Sequence, residues 1–221
     1  MNKVLAIAPH PDDETLGCGG TILKHKAKGD EIHWLILTNI SNEHGWQQEQ
    51  VNSRQQEIEN VTKDYVFSSV HKLNYPTMKL DNFPILELID KISTVIKKVQ
   101  PNIIYLNNRN DVHTDHQIAF KAVMSSVKSF RHPYIRRILM FETLSETEFS
   151  LEQNKTFHPN VFIDIGTFLE RKLELLKIYA SELNDFPFPR SETTLKALAQ
   201  LRGASAGFKA AEAFQLLRER I

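Results

Sequence analysis

Short blocks of consecutive apolar residues alternate along the chain with longer stretches in which apolar positions recur every three or four residues. The blocks lie at 4–8 (VLAIA), 31–38 (EIHWLILT), 70–75, 103–106 (IIYL), 137–141 (RILMF) and 161–165 (VFIDI). Each is brief, bounded by breaking residues, and apolar at successive positions, as strands buried on both faces are. Between them, Ile85, Leu88, Ile89, Ile92, Ile96 and Val99 repeat at helical spacing and predict an amphipathic helix over 84–99, which Pro101 ends. Residues 21–27, 47–65 and 115–128 also read as helices. Residues 167–183 and 192–218 read as largely helical, the latter interrupted around Gly203 and Gly207. Strands alternating with helices predict βαβ units, hence an α/β, Rossmann-like, mostly parallel sheet flanked by helices. No linker, repeat or change of composition divides the chain, so one domain over residues 1–221 is expected.

In sheets of this kind ligands bind at the carboxyl ends of the strands. Two apolar blocks run straight into polar clusters there: 4–8 into HPDDE (residues 10–14), and 103–106 into NNRNDVHTDHQ. His10 and Asp13 are three residues apart, and in a helix-like turn both point to one side. An imidazole and a carboxylate suit a divalent ion, and one more imidazole from His113 or His116 would leave a position open for water and substrate, the mark of a catalytic site. Asp12 points differently and is free to contact a metal-bound water. Read singly, each cluster is equally a capping turn, with Asp13 at a helix start and acids favouring its positive end. Two imidazoles and a carboxylate also describe non-haem iron(II) sites. Glu14 is expected to begin the following helix. Gly17, Gly19 and Gly20 fit the dinucleotide pattern poorly, because Ile22 stands where the last glycine belongs, so they read as close backbone packing.

Charge narrows the partners. Lys plus Arg and Asp plus Glu both number 27, so no basic field invites nucleic acid or an anionic membrane. The single cysteine, Cys18, permits no disulfide within the chain and fits a reducing compartment. No apolar run approaches a membrane span, and 4–8 is too short for a signal sequence, so a cytoplasmic location is expected.

The motifs resemble those of the PIG-L/LmbE family of zinc-dependent N-deacetylases. PHPDDE with its following GCGGT matches the family's first motif and HTDH, residues 113–116, its second. Lesser similarities run through Arg54-x-x-Glu57, LNYP at 73–76, FHPNVFIDI from Phe157 and RG…AEAF near the end. The resemblance implies His10, Asp13 and His116 as zinc ligands and Asp12 as general base. It implies His113, oriented by Asp115, as the group aiding the tetrahedral intermediate and leaving amine. We read His113 as acting in its protonated form, with Asp115 favouring the imidazolium. Arg54 resembles a substrate-side arginine, or is a solvated helix charge near Glu57. The implied substrate is a small N-acetylglucosamine-type amino sugar on some carrier, and the implied assembly a homo-oligomer. Specificity is expected from loops at 39–50, 75–84 and 144–158. Trp46 is a candidate for stacking on a sugar, while Arg190 and His158 could reach the substrate but read mainly as structural or surface groups. Two other readings remain at this level: hydrolysis of a different amide or an ester, and a non-catalytic nucleotide-sugar binding module.

Overall fold

The computed structural model describes residues 1–221, the side chain of Gln153 excepted. In chain order the elements are β1 (Lys3–Ala8), α1 (Asp13–Ala27), β2 (Glu31–Asn39), α2 (Gln48–Tyr65), β3 (Ser69–Pro76), α3 (Ile85–Val99) and β4 (Ile103–Asn107). Then follow α4 (Thr114–Ser126), β5 (Arg137–Phe141), β6 (Val161–Asp164), α5 (Leu169–Leu176), α6 (Glu192–Ala204) and β7 (Ala211–Glu219). The strands form one sheet in the order β3-β2-β1-β4-β5-β7-β6. The first five run parallel, and β7 lies antiparallel between β5 and β6.

Alternation along the strands divides the apolar residues between two cores. Leu5 and Ile7 of β1 face a core with Leu88, Ile92 and Ile96 of α3 and Ala119 and Val123 of α4. Val4, Ala6 and Ala8 face the other, with Ile22 of α1, Ile58, Val61 and Tyr65 of α2, and Leu175 of α5. Both faces of the sheet are therefore covered, which is why its strands are apolar throughout. Strand order reverses direction between β1 and β4, so their carboxyl ends flank the crevice where such folds bind ligands.

Three sequence expectations are corrected. The first helix runs over Asp13–Ala27, so the helical reading of residues 21–27 covers only its second part, and it has a break at Cys18 (φ −143°, ψ 21°) that the sequence did not suggest. Its second segment starts near residue 20, where the Glu212 carboxylate accepts the Gly20 and Thr21 amides at 2.8 and 2.7 Å. Lys172 neutralises that buried carboxylate at 2.7 Å. Residues 167–183 contain only α5 and a short helical turn at Ala180–Glu182. Residues 192–218 are not one helix: α6 ends at Ala204, and the remainder is β7. AEAFQLLRE is rich in helix formers, but a sheet slot between β5 and β6 buries Ala211, Ala213 and Phe214, and that tertiary gain overrides local propensity. The chain doubles back so closely that a Cβ at Gly203 would lie 2.7 Å from Ala210 Cα.

Among the described residues, no helix is long and apolar enough to cross a membrane. The glycines after PHPDDE serve packing, as expected: a Cβ on Gly17 would lie 2.1 Å from the Phe141 ring and one on Gly20 2.8 Å from Ile165.

Candidate metal centre and active site

The turn after β1 and the start of α4 meet across the β1/β4 crevice. His10 comes from the turn, Asp13 from the first residue of α1, and His116 from the first turn of α4. Their donor atoms form a near-regular triangle. His116 Nε2 lies 3.2 Å from His10 Nδ1 and 3.3 Å from Asp13 Oδ2, and His10 Nδ1 lies 3.4 Å from Asp13 Oδ2. A tetrahedral zinc with bonds of about 2.0 Å requires ligand atoms about 3.3 Å apart, so the triangle has the size of one face of such a tetrahedron. Asp13 Oδ1 is buried without a hydrogen-bond partner among the described residues. The donor set and its dimensions thus fit a divalent cation.

Each imidazole is aimed by a carboxylate on its other nitrogen. His116 Nδ1 pairs with Asp111 Oδ2 at 2.8 Å, and His10 Nε2 with Asp115 Oδ2 at 3.1 Å. Such partners fix the tautomer that turns a lone pair toward a metal. Asp111 is itself held by the Thr147 hydroxyl at 2.6 Å. It was not singled out in the sequence, although it stands five residues before His116 in the same cluster. The local field favours positive charge in the triangle. Burial pulls the His10 imidazole down, but Asp115 and Asp13 outweigh it and lift it to about 8. His116 behaves likewise: burial opposes its charge, and Asp13 and Asp111 raise it well above the ordinary range.

The hydrogen bond of the Asp115 carboxylate is therefore to His10, while it lies within 4.8 Å of a ring nitrogen of His113. The carboxylate also accepts the Met78 and Leu80 amides at 2.7 and 3.0 Å. Only the backbone of Asp115 hydrogen-bonds His113: the Asp115 N–H donates to His113 Nδ1 at 3.1 Å, making His113 the N-cap of α4. Nδ1 is thus an acceptor, and the ring proton sits on Nε2. Burial, followed by the charges of His10 and His116, pulls His113 down to about 4. The structure thus shows His113 as an imidazole that accepts at Nδ1 and can donate from Nε2, where the sequence reading expected its protonated form.

Asp12 occupies a conformation unusual for a side-chain-bearing residue, φ 137°. Its carboxyl is buried, which pushes it up to about 7 despite the opposing Arg190 charge. Oδ2 accepts a hydrogen bond from Arg190 Nη1 at 2.8 Å, while Oδ1 has no partner among the described residues. Glu14 sits in the first turn of α1, as expected, and is fully buried. It accepts the Asp12 amide at 3.1 Å and the Tyr179 hydroxyl at 3.0 Å, and burial pushes it up to about 8.

His10, Asp12 and His113 open onto a cavity of about 510 Å³. All three loops expected to carry specificity contribute to its lining: Asn39 and Trp46, Thr77 and Met78, and Glu146. Trp46 is 36% exposed there. Arg54 reaches the cavity too, but its guanidinium is engaged by Glu182 and Glu57 and donates to the Pro11 carbonyl. Arg190 also lines it, within reach of a substrate as well as of its structural partners. His158 is exposed and is not among the cavity's lining residues.

The PIG-L family model, described as GlcNAc-PI de-N-acetylase, matches residues 5–127 and so spans both motifs. The chain belongs to the PIG-L family. A diacetylchitobiose deacetylase of Thermococcus kodakarensis is 27% identical over 231 residues, covering 98% of this chain and 84% of that protein. The structure of N,N'-diacetylchitobiose deacetylase from Pyrococcus horikoshii superposes with TM-score 0.78 at 22% identity, covering 98% of this chain and 84% of that one. GalB, a 4-carboxy-2-hydroxymuconate hydratase from Pseudomonas putida, superposes with TM-score 0.76 at 18% identity over 100% and 98% of the two chains. The fold is thus common to a deacetylase and a hydratase, and function has to be argued from the site.

Proposed function

We propose that the protein is a zinc-dependent N-deacetylase that releases acetate from an N-acetylated amino sugar of the N-acetylglucosamine type, free or conjugated. The observation that carries this reading is the donor triangle of His10, Asp13 and His116 with the unpartnered Oδ1 of Asp12 in the same crevice, in a member of a de-N-acetylase family.

A cation held by those three residues would polarise the amide carbonyl and lower the pKa of a water from about 15.7 toward about 7. Asp12 takes the proton of that water through Oδ1; a carboxyl lifted to about 7 is matched to such transfer near neutrality. His113 donates its Nε2–H to the oxygen on which negative charge develops, acting as a neutral electrophile. Asp12, once it has taken that proton, is placed to return it to the departing amine. Arg54 binds on the substrate side of the cavity, and Asp115 and Asp111 keep the metal-ligand imidazoles in register.

The test is to load the protein with zinc and screen free and nucleotide-linked N-acetyl amino sugars for amine release. Asp12→Asn should retain zinc and lose nearly all turnover, whereas His116→Ala should lose zinc. Unchanged turnover together with equal zinc content in both variants would sink the assignment.

A further inference from the structure

Arg190 lies outside the residues matched by the family model and 178 residues from Asp12, yet it holds one of that residue's two carboxylate oxygens. Its guanidinium is fixed from three sides. Nε donates to the Ser145 hydroxyl at 2.8 Å and to the Leu144 carbonyl at 3.3 Å. Nη1 is shared between Asp12 Oδ2 at 2.8 Å and Glu182 Oε2 at 3.3 Å. The other oxygen of Glu182 accepts from Arg54, whose Nη1 donates at 2.8 Å to the carbonyl of Pro11. An Arg54–Glu182–Arg190 chain therefore grips the strained Pro11–Asp12 turn at two points, one on the backbone and one on the side chain.

A carboxylate buried beside a second carboxylate, on a backbone held at φ 137°, has little of its own to fix its rotation. Arg190 supplies that constraint. With Oδ2 committed to a charge-assisted hydrogen bond, only Oδ1 remains free to accept a proton. We propose that Arg190, braced by Glu182, is a positioning residue that turns Asp12 so that Oδ1 faces the reacting water. The proposal rests on the deacetylase reading for its kinetic consequence and on geometry alone for its structural one.

The test uses zinc-loaded full-length protein and the variants Arg190→Ala, Arg190→Lys and Glu182→Ala. Loss of orientation at a reacting group costs on the order of 100-fold in rate. Arg190→Ala should lower kcat by about that factor, with KM and zinc content close to wild type and the protein still folded at the assay temperature, although its thermal midpoint falls because a buried ion pair is broken. Added guanidinium ion should restore part of that turnover and should leave Asp12→Asn unaffected. Arg190→Lys should recover little, because an ammonium cannot serve Asp12 and Ser145 from one planar fork. Glu182→Ala should show a smaller loss in the same direction. Crystal structures of zinc-loaded wild type and Arg190→Ala provide a readout independent of turnover: the Asp12 carboxylate should rotate away or split between conformers. An unchanged kcat, a loss of zinc in parallel with activity, or an unmoved Asp12 would overturn the proposal. If wild type releases no amine from any amino sugar, the deacetylase reading fails, and the Asp12 rotamer alone decides whether Arg190 positions it.

Discussion

Asp111→Ala isolates the support of a metal ligand from the ligand itself. In the native protein the fully buried His116 donates its Nδ1–H to Asp111 Oδ2 at 2.8 Å, which leaves a lone pair on Nε2 for the donor triangle. Alanine leaves that N–H buried and unpartnered, a loss of about 1–3 kcal/mol. Loss of such an outer partner typically weakens metal affinity about 10–100-fold, equivalent to roughly 1.4–2.7 kcal/mol, so the two routes to the magnitude agree. Asp111→Asn discriminates geometry from charge. Its carbonyl can still accept from His116, and its amide can donate to Thr147 Oγ1, which already accepts the Thr143 amide at 2.8 Å and has a second lone pair. The asparagine variant should therefore bind zinc within about tenfold of wild type. Competition with a fluorescent chelator at fixed pH measures both constants. Wild-type affinity in Asp111→Ala, or weaker binding by the asparagine than by the alanine variant, would refute the claim that Asp111 acts by orienting His116.

Gly17→Ala drives a methyl to within 2.1 Å of the buried Phe141 ring and should destabilise the fold by about 1–3 kcal/mol or more in urea titration; a wild-type midpoint would contradict the packing described. Glu14 is lifted by burial from 4.5 to about 8, so between those values the native state binds a proton that the unfolded chain has released. Its contribution is favourable below about pH 4.5 and is progressively lost as pH rises toward 8, by up to about 1.4 kcal/mol per pH unit. Glu14→Gln should accordingly gain thermal stability relative to wild type as pH is raised from 5 to 8, and a pH-independent difference between the two would contradict the assignment.

Where the chemistry is carried by neighbours in the chain, it was legible. His10 and Asp13 share a turn, His116 starts a helix, and both follow apolar blocks that could only be central strands. That the two strands lie side by side and bring the clusters together was only a condition of the sequence reading, and the sheet order supplies it. What could not be read depends on distant approach. Arg190 could be singled out in the sequence as a group within reach of a substrate, but its hydrogen bond to Asp12 exists only once the segment carrying it folds over that residue. Asp115 looks like a partner of its neighbour His113, but helix geometry turns its carboxylate toward His10. Strand β7 was read as helix because its composition favours helix, and only the vacancy between β5 and β6 makes it a strand. Glu14 reads as a helix-start acid, as it is, but only the fold shows that it is buried against Tyr179.

The tie between Glu212 and the amides of Gly20 and Thr21 spans 192 and 191 residues. It imposes an order in time. At ribosomal rates of about 5–20 residues per second, the helix bearing Asp13 waits roughly 10–40 s before the strand that anchors its second segment has been made. Arg190 follows Asp12 by nearly as long. A nascent chain therefore displays the complete PHPDDE and HTDH sequences well before the contacts from Arg190 and Glu212 that brace the first of them can form, and the candidate site is among the last parts of the molecule to be completed.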